Sequence, residues 1–322
     1  MDSQKILVLE TEKGSSEFAR EEVLSVVERS HSGKVAQIDS GIFLVYGNCR
    51  AEGIAFAKRA GEVIGIVDNF QDISSIKIPE GKFYVRIIDT GKCHGTSEES
   101  EVGQLLGGKG RISFSNPDFT ILAYHLDRWH ICRQIYSRSN RERSKRKAPL
   151  RPFFSPVSMD PNYASFLINI GYFPAGATLL DPFCGGGGIL IEAGLKGYKV
   201  EGIDILNEMA VGARMNLKYF GIRNFNITKT DFLEYEPDKK FDGIVTDFPY
   251  GRNSHISLER GLFYSKVAEH MAHLIETGSR ACVVTDKKEN LDYFTNLFRV
   301  DAVIPQKVHK SLTRYFTRMI KR

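Results

Sequence analysis

The sequence predicts an α/β protein whose second half forms a mostly parallel sheet and whose first half is an α+β region. Three observations lead to this prediction. Short apolar strands alternate with helical segments in the second half, single helices mix with short strands in the first half, and a polar basic run separates the two. Regular alternation of strands and helices is typical of parallel sheets with right-handed crossovers. We therefore expect separate domains on either side of the basic run.

The elements of the second half follow each other in a regular order. The predicted strands are "TLLDPF", "KVEGIDI", "NFNITKT", "FDGIVTDF" and "RACVVTDK". The helix-like "ILIEAGLKG" follows the first strand, and further helices are predicted from Asn207 to about Phe220 and from about Leu258 to Ile275. The last segments, "FRVDAVIP" and "RYFTRMIK", are predicted as two strands of an antiparallel hairpin.

The first half has shorter and less regular elements. The strand patterns "KILVLE", "KVAQID", "GIFLVYG" and "FYVRIID" are mixed with the helix-like "EFAREEVLSVVER" and "AEGIAFAKRAG". We predict four consecutive segments: 1–48, 49–137, a basic linker over 138–150, and the parallel sheet over 151–322. The linker is polar and ends in "APLRP", as is typical of a domain junction.

Composition places the chain among soluble globular proteins. It has 322 residues, of which 42% are hydrophobic and 26% charged. No apolar run reaches the ~18 residues that a membrane span needs, and the N-terminus lacks the basic start and long apolar core of a signal peptide. The five cysteines are scattered and never spaced as Cys-x-x-Cys, which disfavours a disulfide framework and a zinc site. These features predict a cytoplasmic protein without a bound metal.

Positive charge is clustered along the chain. The formal net charge is only +5, but residues 137–151, "SRSNRERSKRKAPLR", include seven basic residues and one acidic residue. The C-terminal stretch "KVHKSLTRYFTRMIKR" is also basic. Clustered positive charge favours a polyanionic partner such as nucleic acid, and a solvated linker and tail are the alternative. The candidate RNA contacts are Arg143, Lys145, Arg146, Lys147, His309 and Arg314.

A glycine-rich turn follows the first predicted strand of the second half. In "LLDPFCGGGGILIEAG" the strand ends at Asp181, and glycines 185 to 188 lead into a helix. Such a turn lets a ligand approach the backbone closely, as nucleotides and S-adenosylmethionine do. No Lys-Ser or Lys-Thr follows the glycines, so the turn does not match a P-loop. The candidate cofactor contacts at this turn are Asp181, Phe183, Gly185 and Gly187.

The next three predicted strands also end in an acid. Asp204 ends the second strand, where a carboxylate can accept both hydroxyls of a ribose, and Ile205 beside it is a further candidate cofactor contact. NAD would fit these features as well. Asp231 and Phe232 follow the third strand and suit an adenine amino group and ring, and Asp247 ends the fourth strand in "TDFPYG". Acids at four consecutive strand ends predict one crevice above the sheet.

These ordered motifs resemble the class I S-adenosylmethionine-dependent methyltransferases that act on exocyclic amino groups, whose sheet is Rossmann-like. In "TDFPYG", Phe248 replaces the first proline of the usual Asp-Pro-Pro-Tyr signature. "RPFFSPVSMDPNYASFLINIGYFPAGATLLDPFCGGGG" and "HKSLTRYFTRM" resemble the archaeal and eukaryotic tRNA guanosine-10 N2-methyltransferases. Upstream, "FYVRIIDTG" and "ISFSNPDFTILAYHLDRWHICRQI" resemble a THUMP domain, an RNA-binding module of that family. The resemblance covers most of the chain.

The resemblance implies S-adenosylmethionine as cofactor, tRNA as substrate, and a ferredoxin-like region before the THUMP domain. A ring amino group is a poor nucleophile because its lone pair is delocalised into the ring. By resemblance, the Asp247 carboxylate and the main-chain carbonyl of Phe248 accept hydrogen bonds from this amino group and direct its lone pair at the methyl group. Pro249 would restrain Phe248 to an extended conformation, and Tyr250 would stack on the extruded base.

Two alternatives stay open at the level of the sequence. The first is an amino-methyltransferase that acts on rRNA or on DNA adenine, although a THUMP domain disfavours DNA. The second is a non-catalytic RNA-binding homologue that lost activity through the replacement at Phe248. The sequence also leaves open whether one or two methyl groups are added to the guanine.

The predicted strand "NFNITKT", residues 224–230, is expected at one edge of the sheet in the fold that the sequence resembles. Phe225 and Ile227 alternate with Asn226 and Thr228, so one face of the strand can pack on the domain. The outer edge would then offer unpaired backbone groups for strand addition. Some members of the family work with a small zinc-binding activator protein, and we expect such a partner to dock here. An edge capped by its own loops is the alternative.

Overall fold

The computed structural model describes residues 5–12, 14–39, 41–88, 96–107, 111–139, 143–156, 158–249 and 259–322. The chain divides into two compact units, Met1–Arg138 and Ser139–Arg322. Each unit is built on its own seven-stranded sheet. No helix within the described ranges is long and apolar enough to cross a membrane.

The sheet of the first unit is mainly antiparallel. Its strands are β1 (Ile6–Thr11), β2 (Gly33–Asp39), β3 (Ile42–Gly47), β4 (Ala57–Val67), β5 (Phe83–Ile88), β6 (Phe119–His125) and β7 (Trp129–Ser137). They are ordered β2-β3-β1-β4-β7-β6-β5, and of these strands only β5 and β6 pair in parallel. The α-helices described in this unit are α1 (Ser16–Leu24) and α2 (Thr96–Gly107).

The predicted boundary at residue 48 lies within this sheet. Strand β4 pairs with β1 on one side and with β7 on the other, so strands from both predicted segments share one sheet. The division into segments 1–48 and 49–137 stays a prediction. The boundary between the two compact units lies between Arg138 and Ser139, at the start of the predicted basic linker.

The helix predicted from "AEGIAFAKRAG" is wrong. Only a short helical turn, Ala51–Gly53, forms there, and β4 begins at Ala57. A Cβ on Gly61 would come within 2.6 Å of the Cys132 Cβ on the neighbouring strand, so the two strands approach closely at this point. Small residues let β4 occupy the middle of the sheet, and this packing overrides their local preference for a helix.

The sheet of the second unit is mostly parallel, as the sequence predicts. Its strands are β8 (Thr178–Asp181), β9 (Lys199–Asp204), β10 (Phe225–Lys229), β11 (Phe241–Asp247), β12 (Ile275–Thr285), β13 (Phe298–His309) and β14 (Leu312–Lys321). They are ordered β10-β9-β8-β11-β12-β14-β13. The first five strands in this order run parallel, and β14 is antiparallel to both β12 and β13. The parallel sheet and the C-terminal hairpin are therefore confirmed.

The α-helices described in the second unit are α3 (Pro161–Ile170), which precedes β8, and α4 (Gly188–Leu195), α5 (Asn207–Tyr219) and α6 (Arg260–Leu274), which lie between strands. The start of α3 is fixed by Asp160, whose side chain accepts a hydrogen bond from the Asn162 N–H at 2.9 Å. Pro161 occupies the first helical position, where its missing N–H costs nothing. The helix predicted from Asn207 is confirmed, and the one predicted from about Leu258 begins at Arg260 within the described residues.

The order of the strands creates a crevice at the middle of this sheet. From β8 the chain proceeds outward to β9 and β10, and it then returns to the other side of β8 to form β11 and β12. At such a switch point the connections leave β8 and β11 in opposite directions, which opens a ligand-binding crevice at the carboxyl ends of the strands. The four predicted strand-end acids lie at this edge.

Candidate active site

Three acids are the last residues of neighbouring strands at the crevice. Asp181 ends β8, Asp204 ends β9 and Asp247 ends β11. Asp231 lies two residues beyond the end of β10. The structure thus brings the four predicted acids to one edge of the sheet, although their side chains have different surroundings.

The glycine-rich turn between β8 and α4 needs glycine at two positions. Gly185 and Gly187 have φ values of +50° and +78°, in the left-handed region that side chains rarely adopt. A Cβ on Gly187 would lie 3.3 Å from the Ala213 Cβ, so this glycine lets α4 pack closely against α5. A Cβ on Gly185 would have no atom within 4 Å. The backbone at Gly185 therefore borders open space that a ligand can enter.

Asp204 links the second strand to this turn. Its Oδ2 atom accepts a hydrogen bond from the Gly185 N–H at 2.9 Å, and its Oδ1 atom accepts one from the Leu206 N–H at 2.8 Å. These two bonds hold the carboxylate at the carboxyl end of β9, beside the glycine-rich turn. The adjacent Ile205 is 46% exposed and offers an apolar surface beside this carboxylate.

Asp181 is only 1% exposed and acts on the turn itself. Its Oδ1 atom accepts hydrogen bonds from the Thr246 hydroxyl at 2.7 Å and from the Phe183 N–H at 3.2 Å. Burial raises the pKa of Asp181 to about 7, and the nearby charges of Asp247 and Asp204 add to this effect. Asp181 therefore ties the Phe183 N–H of the turn to Thr246 on β11, a partner that the sequence did not indicate, and its predicted contact with the cofactor stays a prediction.

Phe232 does not present its ring to the crevice. The side chain is 2% exposed and packs against Phe183 and His270, at ring-centroid distances of 5.5 and 4.7 Å. The ring of Phe232 is thus part of the core, and its predicted contact with the adenine ring stays a prediction. Asp231 is partly buried and accepts a hydrogen bond from the Leu233 N–H at 2.9 Å, which caps the short turn that contains Phe232.

One carboxylate oxygen of Asp247 is a hydrogen-bond acceptor without a donor among the described residues. Its Oδ1 atom is buried and has no hydrogen-bond partner among the described residues. Burial raises the pKa of Asp247 to about 7; the charge of Arg314 opposes this shift and that of Asp286 adds to it. A buried acceptor without a hydrogen bond is costly, by about 1–3 kcal/mol. A donor that arrives with a substrate would remove this cost.

Phe248 extends the pairing of β11 and fills the core beneath the site. Its N–H donates to the Val284 carbonyl at 3.0 Å, and its ring is 1% exposed. The ring packs against Phe183, Tyr264 and Phe294 at centroid distances of 5.6, 5.3 and 5.7 Å. The side chain of Phe248 thus belongs to the core, while its backbone continues the pairing of β11 with β12. Pro249 follows it and is partly buried, whereas Tyr250 lies outside the described residues.

Replacing Phe248 by proline, which would restore the common signature, is expected to destabilise the second unit. The substitution removes the N–H that bonds to Val284 and leaves a cavity among the aromatic rings, with an expected loss of about 3 kcal/mol. Thermal unfolding of wild type and variant measures this loss. Phe248→Leu, which keeps the N–H and most of the side-chain volume, should lose less than half as much. Equal stability of wild type and Phe248→Pro would contradict this packing role.

The carboxyl end of β12 supplies an acid that the sequence analysis missed. Asp286 directly follows this strand, lies 3.4 Å from an Arg260 guanidinium nitrogen, and accepts a hydrogen bond from the Asn290 amide at 3.1 Å. Its charge raises the pKa of Asp247, so the two acids are electrostatic neighbours. The signal was present in "RACVVTDK", a fifth predicted strand that ends in an acid like the other four.

Asn216 is a second missed residue. It is fully buried on α5, and its amide nitrogen donates to the Gly186 carbonyl at 2.9 Å and to the Phe153 carbonyl at 3.0 Å. Its amide oxygen accepts from the Phe153 N–H at 2.9 Å. Asn216 therefore ties the glycine-rich turn to the segment before α3, and a single asparagine within a helix gives no sequence signal for that role.

The predicted RNA contacts of the basic run have different surroundings. Arg146 forms a bidentate pair with Glu192, with N–O distances of 2.7 and 3.2 Å, and Glu192 is 3% exposed. Arg146 thus neutralises a buried acid, a structural task that the sequence analysis did not foresee. Arg143 donates to the Asn162 side-chain oxygen at 2.8 Å. Lys145 and Lys147 have exposed side chains.

The other two predicted RNA contacts lie on the C-terminal hairpin. His309 ends β13 and is exposed, and its Nδ1 atom lies 3.0 Å from the Ser311 hydroxyl. Arg314 lies in β14 and is partly buried, and its charge lowers the pKa of Asp247. The structure therefore associates Arg314 with Asp247 and leaves His309 at the surface.

The fold and the crevice define the class of this protein as a class I methyltransferase. The sequence model of the family described as "RMKL-like, methyltransferase domain" matches residues 149–315. The crystal structure of TrmN from Thermus thermophilus has the same fold, with a TM-score of 0.57 and 18% identity over 99% of this chain and 100% of that one.

Two curated relatives identify the family. A tRNA (guanine(10)-N2)-dimethyltransferase of Pyrococcus abyssi is 33% identical over 93% of this chain and 95% of its own length. One from Methanothermobacter thermautotrophicus is 31% identical over 84% of this chain and 83% of its own length. This chain belongs to the tRNA (guanine(10)-N2)-dimethyltransferase family.

Proposed function

We propose that this protein transfers methyl groups from S-adenosylmethionine to the exocyclic amino group of guanosine 10 in tRNA. The observation that carries the proposal is the buried Asp247 oxygen without a partner at the end of β11, which suits a hydrogen bond from a substrate amino group. Family membership supports guanine as the base and tRNA as the substrate.

The residues beside the glycine-rich turn fit the cofactor. The open space at Gly185 admits the close approach of a ligand, and the Asp204 carboxylate lies beside it at the end of β9, where a ribose would bind. The exposed Ile205 offers an apolar contact for the adenine ring. We assign the adenosine to these residues and the reacting end of the cofactor to the region of Asp247. Asp181 acts indirectly, by holding the turn through the Phe183 N–H.

When bound, S-adenosylmethionine would supply an electrophilic methyl group, whose bonding electron pair would remain with the departing thioether. The amino nitrogen forms the new N–C bond and then loses a proton. In our proposal the Asp247 carboxylate and the Phe248 carbonyl accept hydrogen bonds from the amino hydrogens, which directs the nitrogen lone pair at the methyl carbon. Asp247 then takes the proton that the nitrogen releases. Both acceptors must be held accurately, since about 1 Å of misplacement can cost roughly 100-fold in rate.

Methyl transfer to transcribed tRNA tests the proposal directly. The matched substrate carries adenosine in place of guanosine 10, and mass analysis of the nucleosides counts the methyl groups added. We expect methylated guanosine only from the first transcript, with two methyl groups at completion, as the relatives' names suggest. Transfer to rRNA or to DNA adenine instead would favour the rival amino-methyltransferases. No transfer to any of these substrates would favour a non-catalytic RNA-binding protein.

We also propose that the exposed lysines of the basic run bind the tRNA backbone. Replacing Lys145 and Lys147 together by alanine should weaken tRNA binding and lower the slope of log K against log salt by about 2, because fewer counterions are released. Arg146 stays unchanged in this variant, since its loss would remove the ion pair with the buried Glu192. Titrations at several salt concentrations measure the slope.

The matched control removes the same charge elsewhere, by replacing Lys239 and Lys240, which are exposed at the start of β11. This control should keep the wild-type slope. An unchanged slope in the Lys145 and Lys147 variant would show that the basic run is a linker that does not contact tRNA.

The predicted ferredoxin-like and THUMP modules, 1–48 and 49–137, are proposed as further RNA-binding surface.

The proposed activator site lies on β10, which is an edge strand of the second sheet. Ile227 is buried and Asn226 is exposed, in keeping with one packed face. Arg214 donates to the Ile227 carbonyl at 2.6 Å and so engages one backbone acceptor of the strand. This contact reduces the free edge and favours the alternative that the strand is capped by its own domain. Co-purification of wild type and Ile227→Pro with a candidate zinc-binding partner distinguishes the two.

A further inference from the structure

The register of three strands places Arg314 near the catalytic acid. Asp247 on β11 pairs with Val284 on β12, and Val284 pairs with Phe316 on β14. Paired residues share one face of a sheet, and so do residues two positions apart in one strand. Arg314 therefore lies on the same face of the sheet as Asp247, two residues closer to the carboxyl edge of the parallel strands. Its long side chain can extend along this edge toward Asp247.

The same register places Asp286, the acid that directly follows β12, close to Arg314. Thr285 pairs with Tyr315, so one further step places Asp286 opposite Arg314. The site thus contains a catalytic acid with a cation and a second acid beside it, contributed by three neighbouring strands. Arg260 on α6 lies 3.4 Å from Asp286 and screens part of its charge.

Other titratable groups also face Asp247. Asp181 on β8 is a neighbouring acid, since the charge of Asp247 adds to the raised pKa of Asp181. Tyr264 on α6 has a pKa that burial raises, and the charges of Asp286 and Asp247 raise it further. Among the described residues, Arg314 is the cation whose charge lowers the pKa of Asp247. Its charge therefore works against the burial and the surrounding acids.

We propose that Arg314 is a positioning residue for methyl transfer, which keeps Asp247 in the carboxylate form that accepts the substrate's amino hydrogens. This inference rests on the proposed function and reassigns Arg314 from a contact with the RNA backbone. A carboxylate accepts stronger hydrogen bonds than a neutral carboxyl group does. Because the pKa of Asp247 is close to neutral, a nearby cation is needed to keep this acid ionised at neutral pH. The charge of Asp286 acts in the opposite direction and raises the pKa of Asp247.

The rate of a single turnover, measured against pH with saturating tRNA and S-adenosylmethionine, tests the proposal. Wild type should lose activity on the acid side as Asp247 is protonated. Arg314→Gln should move this acid limb to higher pH by about one unit, the size expected for one charge roughly 10 Å away near a protein surface. Its rate on the alkaline side should recover toward that of wild type. Arg314→Lys, which keeps the charge, should stay within about half a unit of wild type.

A second variant, which should shift the acid limb in the opposite direction, makes the test selective. Asp286→Asn removes an acid near Asp247 and should move the acid limb to lower pH, since the remaining Arg314 charge is then less opposed. Structural damage does not predict shifts in opposite directions from two neighbouring substitutions. Unchanged limbs, together with a raised KM for tRNA in Arg314→Gln, would overturn the proposal and return Arg314 to RNA binding.

The ionisation of Asp247 can also be followed without any substrate. Carbon-13 NMR of aspartate carboxyl groups gives the midpoint, and the signal is assigned by its loss in Asp247→Asn. This assignment is needed because burial also raises the pKa of Asp181 to about 7. If wild type does not methylate tRNA, the proposed function fails, and this titration still decides the role of Arg314. An identical titration midpoint of Asp247 in wild type and Arg314→Gln would overturn the proposal that Arg314 keeps Asp247 ionised.

Discussion

Replacing Asp247 by alanine is expected to lower the single-turnover rate of methyl transfer by at least about 100-fold, the effect typical of removing one preorganised polar group from a reacting centre. The reason is the buried Oδ1 atom, which has no partner among the described residues and is available to the substrate amino group. Binding of S-adenosylmethionine should change little, because the adenosine is assigned to the region of Asp204. Calorimetry and single-turnover kinetics measure the two effects separately.

Asp247→Asn is the matched variant for this prediction. The amide keeps one oxygen acceptor of the same shape but cannot ionise, so it should retain more activity than alanine. Its rate should also lose the acid limb near pH 7, since the carboxyl group whose pKa is raised to about 7 is gone. Activity falls as pH falls through that pKa in wild type, because the carboxylate is the active form. Near wild-type turnover in the alanine variant would show that Asp247 has no role in methyl transfer.

Replacing Asp204 by alanine is expected to weaken S-adenosylmethionine binding by about 100-fold, which corresponds to roughly 3 kcal/mol. Two effects add to reach this size. The carboxylate no longer accepts the ribose hydroxyls, and the Gly185 and Leu206 N–H groups lose the acceptor that holds the turn in place. Calorimetric titration with S-adenosylmethionine measures the change.

The control for Asp204 is an acid at the opposite end of the same sheet. Asp242 lies at the start of β11, is exposed, and accepts a hydrogen bond from the Thr178 N–H at 2.7 Å. Asp242→Ala removes an equal charge and a similar backbone contact, yet it should leave cofactor affinity within about twofold of wild type. An equal loss of affinity in both variants would show that Asp204 acts only through general stability.

Local patterns in the sequence were sufficient to locate the candidate site. Apolar strands that alternate with helices predicted the parallel sheet, and the last residues of those strands gave Asp181, Asp204 and Asp247. The glycine-rich turn was visible because the left-handed backbone at two of its positions, Gly185 and Gly187, favours glycine. Each of these features is encoded within a few residues, so it can be recognised before any packing is known.

Contacts between residues distant in the chain needed the structure. Arg146 and Glu192 are separated by 46 positions, and their pairing makes a predicted RNA contact part of a buried ion pair. The segment after residue 50 favours a helix by composition, yet neighbouring strands on both sides make it the central β4. In both cases the outcome depends on the partner that folding supplies, and local propensity cannot specify that partner.

The sequence by itself determined the parallel sheet, the glycine-rich turn, the strand-end acids and the family of this protein, because these depend on local periodicity and short motifs. Only the tertiary structure decided what those residues contact. It buried Phe248 as a core residue, left the Asp247 Oδ1 atom without a partner among the described residues, and placed Arg314 on the same face of the sheet as Asp247. The physical reason is that burial, hydrogen bonding and the pKa of an acid are set by neighbours that strand register brings together from distant parts of the chain.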